Sequence, residues 1–251
     1  FLIAPSGWIA RLLSPGITGW DRPPDVLIVQ DPWGLSMMAG LIVKEIPFLI
    51  LISLAALGQA QSQSSVKIAQ ALGYGRVTGW LKTVFPRVYA QIRLPVYVVL
   101  AYAMSVVDVA VILGPNTPPT LSVQIVKWMS DPDLAMRLWA AAGALLQLGL
   151  VVGVLVAWRI CEVVIAFVGL RWVATGTRGK CDPVLAQTAL FFGGLSALAV
   201  FLGLVVLAIW SFAGYWGFPD SVPDGFTLRN WVRHGPGSAA ALGETALIAG
   251  V

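Results

Sequence analysis

Four long apolar segments dominate the chain, and shorter polar stretches between them carry most of its charged residues. A helix that crosses a bilayer needs about 20 predominantly apolar residues. The segments that reach this length are residues 34–58, 94–114, 138–157 and 184–210. A shorter apolar run at 160–170 contains Glu162 and is interpreted as an interfacial extension of the third span, and a fifth span is expected to begin near Ser238. The pattern predicts an all-α protein, a polytopic bundle of transmembrane helices.

The composition also indicates a bilayer environment. Hydrophobic residues make up 58% of the chain and charged residues 11%, and the mean hydropathy is +0.82. Soluble domains carry about 25% charged residues. The formal net charge of +4 does not indicate a nucleic-acid partner, because the basic residues are spread over short loops without interleaved stacking aromatics. The two cysteines suggest neither a disulfide framework nor a metal site. No zinc pattern, Walker-type glycine loop or nucleophile elbow is present in the sequence, so we predict no enzyme activity, metal or cofactor on this chain.

The distribution of Lys and Arg predicts the orientation of the spans. Residues 59–93 carry five basic residues and no acid, and residues 159–183 carry four basic residues against two acids. The alternating segments 1–33, 115–137 and 211–237 are balanced or acidic. Since short loops rich in Lys and Arg face the cytoplasm, residues 59–93 are predicted to be cytoplasmic and residues 115–137 periplasmic.

This basic loop carries the local signals of two short helices. Residues 66–72 are good helix formers, and Gly73 and Gly75 then permit a turn. Residues 77–85 place apolar side chains at helical spacing, and Pro86 is expected to end this second helix. A glycine-joined pair of short helices forms a rigid knob that can transmit a push. The alternative is a plain basic loop whose charges follow from topology alone.

The run Ala69-Gln70-Ala71-Leu72-Gly73, followed by Phe85-Pro86, resembles the EAA loop of ABC-importer permeases. In that family a short helix–turn–helix docks into a cleft of the ATP-hydrolysing subunit. Lys44-Glu45-Ile46-Pro47-Phe48 and residues 106–120 are similar to neighbouring segments of the double-length thiamine, ferric-iron and sulfate permeases. Lys67 stands where the motif has its glutamate, and Ile68 stands where it has an alanine, so a contact through that glutamate is not expected.

The resemblance implies a type I importer permease fold in a bacterial inner membrane. The implied partners are a dimer of ABC ATP-binding subunits, which would hydrolyse the ATP, a periplasmic solute-binding protein and membrane lipid. Residues 1–158 would be the C-terminal part of a first permease half, 159–183 a cytoplasmic linker and 184–251 the start of a second half. We therefore expect a fragment of a longer protein with a second EAA-like loop. The residues assigned to the ATPase-coupling loop are Ala69, Ala71, Leu72, Gly73, Gly75, Trp80, Phe85 and Pro86.

Three charged residues lie inside predicted spans. Lys44 and Glu45 interrupt the first span, and Asp108 lies about 14 residues into the second. Because a charge in the membrane costs a few kcal/mol unless it is paired or hydrated, these residues are candidates for a solute translocation path, with structural pairing as the open alternative. A second class of protein uses the same residues differently: in a secondary transporter driven by an ion gradient they would bind the coupling ion. A third hypothesis is a purely structural membrane subunit. The sequence does not identify the solute.

Overall fold

The computed structural model describes residues 2–14, 16–25, 28–59, 62–179 and 182–249, and within these ranges the protein is all-α with two isolated β-bridges and no strand. The helices, in chain order, are α1 (Trp8–Leu13), α2 (Leu35–Gln59), α3 (Ser62–Ala71), α4 (Arg76–Thr83), α5 (Phe85–Ser105), α6 (Asp108–Leu113), α7 (Leu121–Met129), α8 (Met136–Ala174), α9 (Asp182–Phe212) and α10 (Arg229–Ala249).

Among the described residues, four helices are long and apolar enough to cross a membrane: α2, α5, α8 and α9. This confirms the predicted number of complete spans. The bounds predicted for the second span, 94–114, are wrong, because α5 begins and ends nine residues earlier. Pro86 opens α5 instead of ending the helix before it, since a proline in the first helical turn has no N–H bond to lose. Pro95 therefore lies inside the helix.

The third span and its predicted extension form one continuous helix, α8, of 39 residues. At a rise of about 1.5 Å per residue its length is about 58 Å. That is nearly twice the ~30 Å thickness of the hydrocarbon core of a bilayer. Residues 159–174 of the predicted linker are therefore helical, and irregular structure begins at Thr175.

The helix expected near Ser238 begins earlier, at Arg229. This helix, α10, contains Pro236 and is not among the four candidate spans of the described residues. It belongs to a compact unit formed by Phe1–Val29 and Ala199–Val251.

A buried arginine organises this unit. Arg11 donates to the carbonyl oxygens of Gly217 at 2.6 Å and Asp220 at 3.2 Å, and its guanidinium carbon lies 4.9 Å from the centroid of the Trp216 ring. Burial lowers the pKa of Arg11 against the opposing effect of Asp220. The contacts attach the short helix α1 to residues 216–220.

The other unit, Gln30–Leu198, contains the helices that position the candidate site. In it, α2 packs against α5, α5 and α7 pack against α8, and α3 packs against α4. Its core lies at the junction of α2 with α4 and α5 and is formed by Ala56, Val84, Val88 and Ile92. Val84 is 1% exposed and stands between the end of α4 and the start of α5. Burial of these side chains joins the short helices to the ends of two spans.

Candidate functional site

The predicted helix–turn–helix is present between the first two spans, as α3 and α4. Residues 60 and 61 of the predicted loop lie outside the described residues. Gly73 has φ +82°, a left-handed conformation that glycine adopts without strain. The turn is closed by backbone bonds from Gly73 N to Gln70 O at 2.9 Å and from Tyr74 N to Ala69 O at 3.1 Å. The turn predicted at Gly73 is therefore present, and the left-handed conformation of this glycine allows it.

Small and aromatic residues hold the two short helices together. Ala69 is 4% exposed, and a Cβ added to Gly79 would lie 3.0 Å from the Ala69 Cβ, so these two residues set the close approach of α3 and α4. Trp80 packs against the core of the unit. The ring centroids of Trp80 and Phe85 are 5.9 Å apart, and those of Phe85 and Tyr89 are 5.8 Å apart. The aromatic contacts continue the packing from α4 into α5.

Other residues assigned to the coupling loop face away from this packing. Leu72 is 63% exposed, and Ala71 and Pro86 are exposed as well. Ile68, which precedes the assigned residues, is also 63% exposed. Residues four positions apart share one face of a helix, so Ile68 and Leu72 form a small apolar surface at the end of α3. Lys67 beside them is also exposed.

The N-terminus of α4 is capped by a residue from a distant part of the chain. Gly75 precedes α4 and offers no side-chain cap. The Asp182 carboxylate accepts hydrogen bonds from Val77 N at 2.6 Å, from Thr78 N at 3.1 Å and from Thr78 Oγ1 at 2.6 Å. A Cβ on Gly75 would lie 2.2 Å from Asp182 Oδ2. Gly75 has an ordinary φ of −62°, so its importance is space for this carboxylate and not the turn conformation expected from the sequence.

The other end of α4 contacts the end of α8. Lys82 Nζ donates to the carbonyl oxygens of Trp172 at 3.2 Å and Thr177 at 2.9 Å, and it lies 4.6 Å from the centroid of the Trp172 ring. At the N-terminus of α4, the same segment makes a further contact, because Arg178 O accepts a hydrogen bond from Gly75 N at 2.9 Å. We name residues 172–179 together with Asp182 the clasp. Sequence reasoning assigned no role to the clasp beyond a linker.

The structure joins two of the three charged residues predicted inside spans. Lys44 Nζ donates to Tyr102 Oη and lies 4.2 Å from the centroid of the Tyr102 ring, and Tyr102 Oη donates to Asp108 Oδ1 at 3.4 Å. Glu45 takes no part in this series of contacts. The expectation that Asp108 lies within the second span is wrong, because α5 ends at Ser105 and Asp108 is the first residue of α6.

A polar cluster that sequence reasoning missed joins α5 to α8. Glu162, with its side chain 8% exposed, accepts hydrogen bonds from Tyr89 Oη at 2.5 Å, from Tyr97 Oη at 2.8 Å and from Arg159 Nη1 at 2.9 Å. Trp158 Nε1 also donates to Tyr89 Oη at 3.1 Å. The available signal was a lone acid in an apolar helical run, since an ionisable residue within a span needs a partner.

Long apolar helices joined by short ordered segments define a multi-pass α-helical membrane protein. Over 204 aligned residues, the chain is 32% identical to the inner membrane ABC transporter permease protein YnjC of Escherichia coli strain K12. The alignment covers 78% of this chain and 38% of YnjC, so the chain spans well under half the length of this relative. No family model and no solved structure matches the chain. The four apolar helices and this similarity identify a multi-pass protein of the inner membrane.

Proposed function

We propose that the chain is part of the membrane-spanning permease of an ATP-driven ABC importer, and that α3 and α4 couple it to a cytoplasmic ATP-binding subunit. The observation that carries the proposal is the ordered helix pair between α2 and α5, which contains no acidic residue of its own and leaves Ile68 and Leu72 exposed. The similarity to a named ABC permease supports the same assignment.

In this proposal the ATP-binding subunits form a dimer and carry out all ATP hydrolysis. Their closure displaces the apolar end of α3, and the packing of Ala69 on Gly79 transfers the displacement to α4. Val84 and the Trp80–Phe85 contact transfer it to α5, which is a span. The spans then alternate between inward-open and outward-open states. A periplasmic solute-binding protein selects the solute. Residues 1–158 are the C-terminal part of one permease half and residues 184–251 the start of a second half in one longer permease.

Site-specific photocrosslinking tests the contact. The photoreactive amino acid benzoylphenylalanine is placed at Leu72 in the full-length protein, which is expressed together with its ATP-binding subunit. The matched control position is Leu134, which is 67% exposed but lies in a loop predicted to be periplasmic. We expect a crosslink to the ATP-binding subunit from position 72 and none from position 134. A crosslink from neither position, or equally from both, refutes the proposed coupling role.

The second candidate function is a secondary transporter, favoured by the contacts that join Lys44, Tyr102 and Asp108. A cation and a carboxylate joined through a hydroxyl could exchange a coupling proton. Uptake measured in proteoliposomes separates the two functions: the importer requires enclosed ATP and the ATP-binding subunit, whereas the secondary transporter requires only an ion gradient. Gradient-driven uptake without ATP that is lost in Asp108→Asn would favour the second candidate.

A further inference from the structure

The clasp holds both ends of α4, and from this we infer that Asp182 is a positioning residue which makes α4 move together with the adjoining ends of α8 and α9. The use of that motion for transport rests on the proposed function. The contact itself does not depend on the proposed function.

The N-terminus of α4 has no side-chain cap from its own segment. The first backbone N–H groups of a helix have no partner within the helix, and a side-chain acceptor just before the helix usually satisfies them. Gly75 occupies that position and has no side chain. Asp182 supplies the acceptor from 104 residues away along the chain, and its negative charge lies at the positive end of the helix dipole.

The Asp182 carboxylate is closely surrounded by Thr78, Gly179 and Gly75. Thr78 is 3% exposed, and a Cβ on Gly179 would lie 2.0 Å from Thr78 Oγ1 and 2.7 Å from Asp182 Oδ1. On the other side, Gly75 leaves room for the carboxylate only because it lacks a Cβ. Two glycines therefore shape the space that the Asp182 carboxylate fills.

The C-terminal end of α4 is held as well, through Lys82. The ammonium group of Lys82 binds carbonyl oxygens where α8 ends, and a cation is favourable at the C-terminus of a helix. A single contact would let α4 pivot, whereas contacts at both ends fix its direction. Because Asp182 is itself the first residue of α9, a displacement of α4 reaches α9 without an intervening loop.

The experiment compares Asp182→Ala and Asp182→Asn with a matched control, Asp31→Ala. Asp31 also caps a helix, accepting from Leu35 N at 2.7 Å and Ser36 N at 2.9 Å, but at the start of α2. Donation from the Ser36 backbone holds the pKa of Asp31 below its usual value, as expected for a charged cap. The full-length protein in lipid nanodiscs, with its native cysteines replaced by serine, carries spin labels at Gln70 on α3 and Leu185 on α9.

Double electron–electron resonance then measures the distance between the labels. We expect one narrow distribution for the parent protein and for Asp31→Ala, a broad one for Asp182→Ala, and an intermediate one for Asp182→Asn, which keeps one acceptor oxygen. Hydrogen exchange of residues 76–83 is expected to accelerate about 30-fold in Asp182→Ala, the equivalent of ~2 kcal/mol for the lost hydrogen bonds to a charged acceptor.

An unchanged distance distribution in Asp182→Ala overturns the inference, including the case in which exchange accelerates, because Asp182 would then be a local cap only. If Asp182→Ala does not reach the membrane, Thr78→Val replaces it, since valine keeps the shape of Thr78 and removes one donor to the carboxylate. A broadened label-to-label distance distribution in Thr78→Val supports the inference, and a distribution like that of the parent protein overturns it. The ATP-binding subunit is absent from these measurements, so a failed crosslink from Leu72 refutes the proposed function separately.

Discussion

Comparing Gly179→Ala with Gly176→Ala should show whether Gly179 is needed because a side chain there would collide with the clasp, or only because of its positive φ. Gly179 has φ +81°, and an added Cβ would collide with Thr78 Oγ1 and Asp182 Oδ1. Gly176, three residues earlier in the same segment, has φ +65° and nothing within 4 Å of an added Cβ. Gly176→Ala is therefore a control with the same backbone strain and no collision.

The two substitutions should differ by the loss of the hydrogen bonds around Asp182. A non-glycine residue in the left-handed conformation costs roughly 1–2 kcal/mol, and both variants carry that cost. Hydrogen bonds to a charged acceptor are worth about 1.5–3 kcal/mol, and only Gly179→Ala displaces them. A difference of ~2 kcal/mol in local opening corresponds to about 30-fold in an equilibrium constant.

Hydrogen exchange followed by mass spectrometry measures this difference in the full-length protein in nanodiscs. We expect the amides of residues 76–83 to exchange about 30-fold faster in Gly179→Ala than in Gly176→Ala, because the cap of α4 is lost. The amides of α7, which packs against α8 at Gly143, should exchange alike in both variants and show that the fold is intact. Equal exchange of α4 in the two variants would refute the reasoning.

Other predictions concern the turn, the topology and the polar cluster. Gly73→Val should abolish ATP-driven uptake while the protein stays in the membrane, since a branched side chain is strained at φ +82°; normal uptake with the ATP-binding subunit bound would contradict this. A cysteine that replaces Ser64 should react with an impermeant maleimide only from the inside, and a cysteine that replaces Thr120 only from the outside. Reaction of the cysteine at position 120 from the inside alone would show that the topology is wrong. Glu162→Ala should lower the free energy of unfolding by about 1–3 kcal/mol, because two tyrosine hydroxyls lose their acceptor, and Glu162→Gln should lower it by less. The same thermal unfolding temperature for both variants and the parent protein would contradict this role.

The spans could be predicted from the sequence because hydrophobicity and length alone define a membrane helix. Local chemistry also predicted the turn at Gly73. The bounds of α5 were missed because Phe85-Pro86 satisfies two opposite rules: a proline can follow the end of one helix or open the next. Burial of Val84 decides for the second rule here, because it packs the junction of α4 and α5 so tightly that the chain continues directly into the next helix.

The clasp could not be predicted, because its contacts join residues about a hundred positions apart along the chain. Asp182-Pro183 is a typical helix start, and it predicts a cap for α9 but gives no sign that the same carboxylate caps α4. The position of Asp108 was missed for a related reason. Residues 94–114 carry no charge other than Asp108 itself, although the backbone leaves the helix at Val106.

The polar cluster and the clasp act on the same helix. Glu162 contacts Tyr89 on α5, and Trp172 contacts Lys82 on α4. The two residues are ten positions apart on α8, or about 15 Å along its axis. A single attachment point would let the α4–α5 junction rotate about α8, whereas two points separated by this distance resist rotation. A displacement of α4 is therefore expected to tilt or shift α8 as a whole, because the 39-residue helix has no interior proline at which it would bend.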